Sequence, residues 1–151
     1  MNIIDIIKAQ HREYRALMDQ VRDAPADDLE ERKRLLDLTR SKLHAHGRAE
    51  EHVVFPRMEE DARTRPAALE AWEWHRASNA LMRGLLQLAP ADELWMPKWL
   101  VIRGTIMAHL DAEEARALVS LAEAFGPEEL EELGRKFLAV EEDILSRKVE
   151  G

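Results

Sequence analysis

The sequence predicts an all-α protein built as a four-helix bundle with an additional C-terminal helix. Apolar residues recur at helical spacing in four long segments and one shorter segment, and no segment shows the strict alternation of a half-buried strand. Capping residues and prolines bound these segments. A chain of 151 residues has the length of one domain. We therefore expect a single domain over residues 1–151, with the bundle in about 1–125 and the C-terminal helix in about 127–148.

The first two predicted helices each carry one histidine among apolar residues. The first begins at Asn2, whose amide can cap a helix, and ends near Pro25. Its apolar stripe consists of Ile4, Ile7, His11, Tyr14, Met18 and Val21. The second begins at Asp27 or Asp28, and Pro56 marks a kink or its last turn. Its stripe consists of Leu36, Leu43, His46, Glu50 and Val53.

The third and fourth predicted helices repeat this pattern. The third begins near Pro66, a favoured residue in a first helical turn, and Pro90 ends it. Its stripe consists of Leu69, Trp72, His75, Asn79, Met82 and Leu86. The fourth is capped by Asp92 or begins at Pro97, and it continues to Gly126. Its stripe consists of Trp95, Trp99, Ile102, Ile106, His109, Glu113 and Ser120.

The fifth predicted helix differs from the others because its stripe contains no histidine. It begins at Pro127 with an acidic first turn, which suits the positive end of the helix dipole. Its apolar residues are Leu130, Leu133, Phe137, Val140 and Ile144. We expect this stripe to pack on its own bundle, with a homodimer formed through the same helix as the alternative.

The composition excludes several classes of function. Thirty acidic against 22 basic residues give a formal net charge of −8, which repels nucleic acid and leaves no basic face for an anionic membrane. The chain contains no cysteine, so disulfides, thiolate metal sites and iron–sulfur clusters are excluded. No segment approaches the ~18 apolar residues of a membrane span, and the N-terminus lacks a targeting pattern. We expect a cytoplasmic protein that binds neither nucleic acid nor membrane.

The pattern that carries chemistry is the single histidine on the stripe of each bundle helix: His11, His46, His75 and His109. Burying an unpaired imidazole is costly. Glu50 and Glu113 follow two of these histidines at a spacing of four residues, which places both side chains on one helix face. Neither stripe contains a lysine or arginine to pair with these glutamates. A lone buried carboxylate either destabilises the fold or takes up a proton.

Metal binding removes that cost. Two carboxylates bridging two cations, with two imidazoles on each cation, offset four positive charges together with a hydroxide or oxide bridge. The mixed nitrogen and oxygen set suits iron, and after it manganese or zinc. The predicted metal ligands are His11, His46, Glu50, His75, His109 and Glu113. The alternative is a metal-free helical interaction module in which the core histidines hydrogen-bond to the two glutamates.

The order of these residues resembles a known family. Along the chain stand His11, the run His46-Gly47-Arg48-Ala49-Glu50-Glu51 reaching Phe55-Pro56, then His75, and the run His109-Leu110-Asp111-Ala112-Glu113-Glu114. Over about residues 1–122 this is similar to the haemerythrin-like, or HHE cation-binding, proteins. The resemblance implies an up-down-up-down bundle around a non-haem di-iron centre. In it Glu50 and Glu113 would bridge the irons, with His11 and His46 on one iron and His75 and His109 on the other.

One departure from the family bears on function. Oxygen-carrying haemerythrins have another histidine one turn after the third-helix histidine, where this chain has Asn79. The resemblance then implies an iron with an open coordination position, in a protein that binds or senses oxygen, nitric oxide or peroxide. A di-iron redox enzyme, for peroxide decomposition or ferrous oxidation, is the alternative at the same centre. No catalytic residue can be named for it.

Other polar and aromatic residues have simpler interpretations. Tyr14, one turn after His11, fills the core or directs its hydroxyl at the metals as a hydrogen-bond donor or ligand. His44 and His52 point away from the stripe of His46, so we expect both on the surface. The tryptophans on the stripes are expected to pack the core, and Trp74 lies off the main stripe.

Overall fold

Seven α-helices and two π-helical segments make up the protein in a computed structural model, which describes the backbone of residues 1–150 and the side chains of residues 1–147. No strand occurs in this part of the chain, so the all-α prediction is confirmed. The α-helices are α1 Ile3–Asp23, α2 Leu29–Ala49, α3 Phe55–Glu59, α4 Arg65–Leu86, α5 Trp95–Ala112, α6 Leu118–Ala124 and α7 Pro127–Glu150. The π-helical segments are π1 Glu50–Val54, between α2 and α3, and π2 Glu113–Ala117, between α5 and α6.

The predicted helix starts are largely confirmed by their caps. Asn2 Oδ1 accepts a hydrogen bond of 3.0 Å from the amide of Asp5, and Asp28 Oδ1 accepts one of 3.1 Å from the amide of Glu31. The fourth bundle helix begins between the two predicted positions, at Trp95. Its first amide donates to the carbonyl of Asp92. The predicted cap at Asp92 and the predicted start at Pro97 are therefore both wrong: Leu94 precedes the helix without a side-chain cap, and Asp92 Oδ1 instead accepts from the amide of Leu94 within the turn.

The two π-helical segments were not predicted, and each begins at one of the two buried glutamates. The carbonyl of Glu50 accepts from the amide of Phe55, and the carbonyl of Glu113 accepts from the amide of Leu118. These five-residue steps replace the usual four-residue steps and insert one extra residue into the helix. Pro56 disfavours a regular turn next to π1, but no proline lies in or beside π2. What the two segments share is the His-x-x-x-Glu-Glu run.

The core consists of two apolar layers with a polar layer between them. One layer contains residues that precede His11 in α1 and residues that follow Glu50 in π1 and α3, such as Ile7 and Phe55. The other contains residues that follow His11 and precede His46, such as Met18 and Leu36. The order reverses from one bundle helix to the next, as an up-down-up-down arrangement requires. The histidines therefore lie at one level of the bundle, shielded above and below.

The C-terminal helix packs on its own bundle, as expected, against α1, α2 and π1. Phe137 is fully buried there. Gly134 lets α7 approach the N-terminus closely, because an added Cβ at this position would lie only 2.6 Å from the carbonyl oxygen of Met1. Helix α7 thus seals the side of the bundle formed by α1 and α2.

Candidate metal centre

Two adjacent groups of metal-ligating side chains occupy the polar layer. One group, called site A here, consists of His11, His46 and Glu113; the other, called site B, consists of Glu50, His75 and His109. Within each group one nitrogen or oxygen atom per residue lies within 4.8 Å of the others. Each site draws on three separate helical segments, so it exists only in the folded bundle. The six residues are those that the sequence predicted as ligands.

The two glutamates connect the sites. Each carboxylate approaches one imidazole from site A and one from site B, always at the Nε2 atom. The distances are 3.1 Å for His46 to Glu50, 3.4 Å for His75 to Glu50, 3.5 Å for His11 to Glu113 and 3.4 Å for His109 to Glu113. Two carboxylates placed between four imidazoles have the arrangement that a pair of bridged cations needs.

Most of these inward-facing atoms lack a hydrogen-bond partner. Both oxygens of Glu50 and of Glu113 are buried without one among the described residues, as are the Nε2 atoms of His11 and His46. The contacts just given are close but do not have hydrogen-bond geometry. An unsatisfied buried polar group costs about 1–3 kcal/mol, and more when it is charged. A cation between these lone pairs would satisfy them together, so the residues fit a metal.

The pKa shifts indicate the same need for positive charge. Burial raises the pKa of Glu113, and the charge of Glu50 raises it further. Burial also raises the pKa of Glu50, but His46 and His75 outweigh it and hold that pKa well below its usual range. Two carboxylates this close cannot both stay ionised without a cation or a proton between them.

The two histidines of site B differ in charge, and His11 of site A resembles one of them. Burial, followed by the nearby His46, lowers the pKa of His11 to about 4, and burial lowers the pKa of His109 to about 3. Both imidazoles are therefore neutral at pH 7, the form that binds metals. Burial also lowers the pKa of His75, but Glu50 and Glu51 outweigh this and raise it to about 9.

Three of the four histidines are held from behind through Nδ1. The acceptors are Glu51 Oε2 for His75 at 2.8 Å, Glu114 Oε2 for His11 at 3.3 Å, and Gln10 Oε1 for His46 at 2.6 Å. A proton on Nδ1 that donates to these oxygens leaves the Nε2 lone pair directed into the centre. The second glutamate of each His-x-x-x-Glu-Glu run therefore positions a histidine of a different helix.

These positioning groups are themselves anchored. Arg48 donates to Glu51 at 2.9 Å, and Arg15 donates to Glu114 at 2.5 Å. Gln10 donates through its amide nitrogen to Glu141 Oε1 of α7 at 2.7 Å, which leaves its oxygen facing His46. The metal centre is thus linked to the outer face of the bundle by three chains of polar contacts.

The remaining predicted residues lie at different depths. The hydroxyl of Tyr14 donates to Gln10 Oε1 at 3.0 Å, and its ring lies edge-on to His46. Asn79 is exposed and belongs to neither site. His44 and His52 are exposed, as expected.

Sequence reasoning did not assign roles to Gln10, Glu51, Glu114 and Glu141. The doubled glutamate in each His-x-x-x-Glu-Glu run could have indicated a role for Glu51 and Glu114. The second glutamate directly follows a predicted ligand, so its side chain lies beside the helix face that carries the ligands. Gln10 and Glu141 are 131 positions apart, and no local pattern links them.

An all-α bundle with two joined histidine and glutamate sites in its core defines the class of cation-binding helical-bundle proteins. Residues 2–121 match the Hemerythrin HHE cation binding domain, and the chain belongs to that family. The resemblance seen in the motifs is confirmed, and with it the binding of metal cations as the family's shared property.

Comparison with solved structures supports the fold. The crystal structure of a Hemerythrin HHE cation binding domain-containing protein from Mycobacterium kansasii superimposes with a TM-score of 0.89. It is 24% identical in sequence, and the match covers 99% of this chain and 91% of that one. A comparison with curated proteins found no match. None of the helices within residues 1–150 has the length and hydropathy that a membrane-spanning helix requires.

Proposed function

We propose that the protein holds two iron ions and binds or senses oxygen, nitric oxide or peroxide at an open coordination position. His11 and His46 would bind one iron, His75 and His109 the other, and Glu50 and Glu113 would bridge them. One observation carries this proposal. Each glutamate contacts one imidazole from site A and one from site B, while its own carboxylate oxygens lack hydrogen bonds. Manganese or zinc would fit the same donors.

The ligand count supports an open position. Each site supplies two imidazoles and a share of two carboxylates, which is fewer than the six donors of an octahedral ion. Asn79, where oxygen carriers have a further histidine, is exposed rather than directed at site B. Bound ferrous iron would supply a redox-active centre that can donate electrons to oxygen or peroxide, and the protein supplies the position and charge of the ligating groups.

We propose that residues 1–151 act as one domain. Helix α7 lies outside the matched family segment, yet it contributes to the surroundings of site A. The ring of Phe137 packs edge-on to His46 at 5.4 Å, and Glu141 fixes Gln10.

Anaerobic reconstitution with ferrous iron tests the function. We expect about two iron ions per chain by metal analysis, and charge-transfer absorption of a bridged ferric pair after exposure to air. His75→Ala should lose the iron of site B. His52→Ala, which changes an exposed histidine of π1, should bind iron as the unaltered protein does. Protein that retains no stoichiometric iron would overturn the proposal. Turnover of added peroxide above that of His75→Ala would favour the enzyme alternative.

A further inference from the structure

A narrow cleft lies beside His109 of site B, between α4, α5 and π2. Its walls are small side chains, formed by Ala67, Ala71, Ala112 and Ala117. Its inner end is lined by His109 and Glu113. The alanine side chains leave room for about one water molecule beside His109, where the candidate metal centre is otherwise packed with large residues.

The inner end of the cleft presents unsatisfied polar atoms. His109 Nδ1 is buried and has no hydrogen-bond partner among the described residues, unlike the Nδ1 atoms of the other three ligating histidines. Its Nε2 is the nitrogen that faces Glu113. A metal-binding histidine nearly always donates its second N–H to a carboxylate, a carbonyl or a water. The cleft leaves water as the partner for His109.

A charged pair that is neutral overall borders the cleft. Arg116 donates to both oxygens of Glu70, from Nε at 3.0 Å and from Nη2 at 2.5 Å. The indole nitrogen of Trp74 donates to Glu70 as well, at 3.0 Å. These contacts span from α4 to π2, so a molecule entering the cleft passes beside the pair.

We propose that this cleft is the route by which water and small neutral molecules reach site B. A water bound to His109 Nδ1 occupies its inner end, and the Glu70–Arg116 pair determines which charges are admitted. The inference rests on the proposed function, since it concerns access to that same metal centre. Glu70 neutralises Arg116, so anions are not drawn to the mouth. Removing Glu70 alone turns the mouth into a cationic funnel.

Azide binding to the air-oxidised, iron-loaded protein tests the role of the charged pair, with the new absorption band followed by stopped flow at low salt. We expect Glu70→Gln to raise the association rate about two- to fivefold and Arg116→Gln to lower it, with both effects shrinking as salt is added. Glu73→Gln and Arg76→Gln are matched controls, because they form an exposed ion pair on α4 outside the cleft and change the charge equally. If the association rates of the Glu73 and Arg76 variants change as much as those of the Glu70 and Arg116 variants, the role of the Glu70–Arg116 pair is overturned.

Filling the cleft tests the route itself. Ala67→Leu should slow azide association and dissociation together, by about tenfold, and leave the dissociation constant unchanged, as expected for a blocked path. Ala77→Leu, an exposed position on the same helix, is the control and should change neither rate. A change in affinity without a change in rates would contradict the proposal.

A crystal structure of the metal-free protein separates this inference from the proposed function. We expect an ordered water within hydrogen-bond distance of His109 Nδ1, and its displacement in Ala67→Leu. Absence of that water at high resolution would overturn the inference even if iron binds. Failure to bind iron, with the water in place, would overturn the proposed function alone.

Discussion

Sites A and B have similar ligands but different surroundings. In site A both histidines are held at Nδ1, by Glu114 and Gln10, and α7 covers the site with Phe137. In site B only His75 is held, by Glu51, while His109 borders the cleft with its Nδ1 unpartnered. Under the proposed function, this difference would let site A retain its metal and site B admit a small ligand.

The largest effect is expected from Glu113→Gln, because Glu113 contacts both sites. We expect the variant to lose stoichiometric iron from A and B alike, measured by metal analysis after desalting. The metal-free variant should be at least as stable as the metal-free original, because a glutamine at this position would be neutral without taking up the proton that buried Glu113 needs. Glu123→Gln, an exposed residue of α6, is the control. Loss of iron from one site only would mean that the carboxylate does not join the two.

Metal removal should lower stability by the next largest amount. A ligand that binds only the folded state stabilises it by about 3–4 kcal/mol at 100 to 1,000 times its dissociation constant. For a chain of this size that corresponds to about 6–16 °C in Tm. Calorimetry with and without chelator measures it. A Tm that does not respond to chelator would favour the metal-free interaction module.

Substitutions of Glu114 and Glu51, which accept hydrogen bonds from ligating histidines, test the difference between the two sites. We expect Glu114→Ala to weaken metal binding at site A and Glu51→Ala at site B, each by about 10- to 100-fold, because the positioned Nδ1 proton loses its acceptor. Competition with a chelator, fitted to two affinities, shows which site weakens. Glu59→Ala is a control on α3, away from both sites. Equal weakening of both sites by either variant would remove the distinction.

The smallest effect is expected from the link to the C-terminal helix. Glu141→Ala frees the amide of Gln10 to rotate, and we expect affinity at site A to fall a few-fold, with site B unchanged. Glu142→Ala, its exposed neighbour, should have no effect. The same chelator competition measures both variants. A response at site B would show that α7 does not act on site A alone.

The fold and the six central residues could be predicted because both depend on local spacing. One histidine on each apolar stripe, with Glu50 and Glu113 one turn after two of them, places the groups at one level once the helices pack. The motif resemblance added the pairing of histidines, and the two sites group them in the same way.

Features that depend on contacts across the chain were not predicted. The contact of Gln10 with Glu141 requires α7 to be already packed on α1. The tight approach of Gly134 to Met1 has the same origin. The π-helical segments could not be predicted for a different reason. Hydrophobic spacing indicates which face of a helix is buried, but it does not indicate which carbonyl each backbone amide bonds to.

The wide turns at Glu50 and Glu113 set the rotational phase of everything that follows them. One surplus residue offsets a helix by about 100°. The wide turn at each segment cancels this offset, so Glu113 and Leu118 both face the core although five positions separate them. Deleting one residue within π2 would place these two side chains four positions apart on an ordinary helix, and both would still face the core. The two short stretches therefore behave as single-residue insertions that leave the packing of the following helix unchanged.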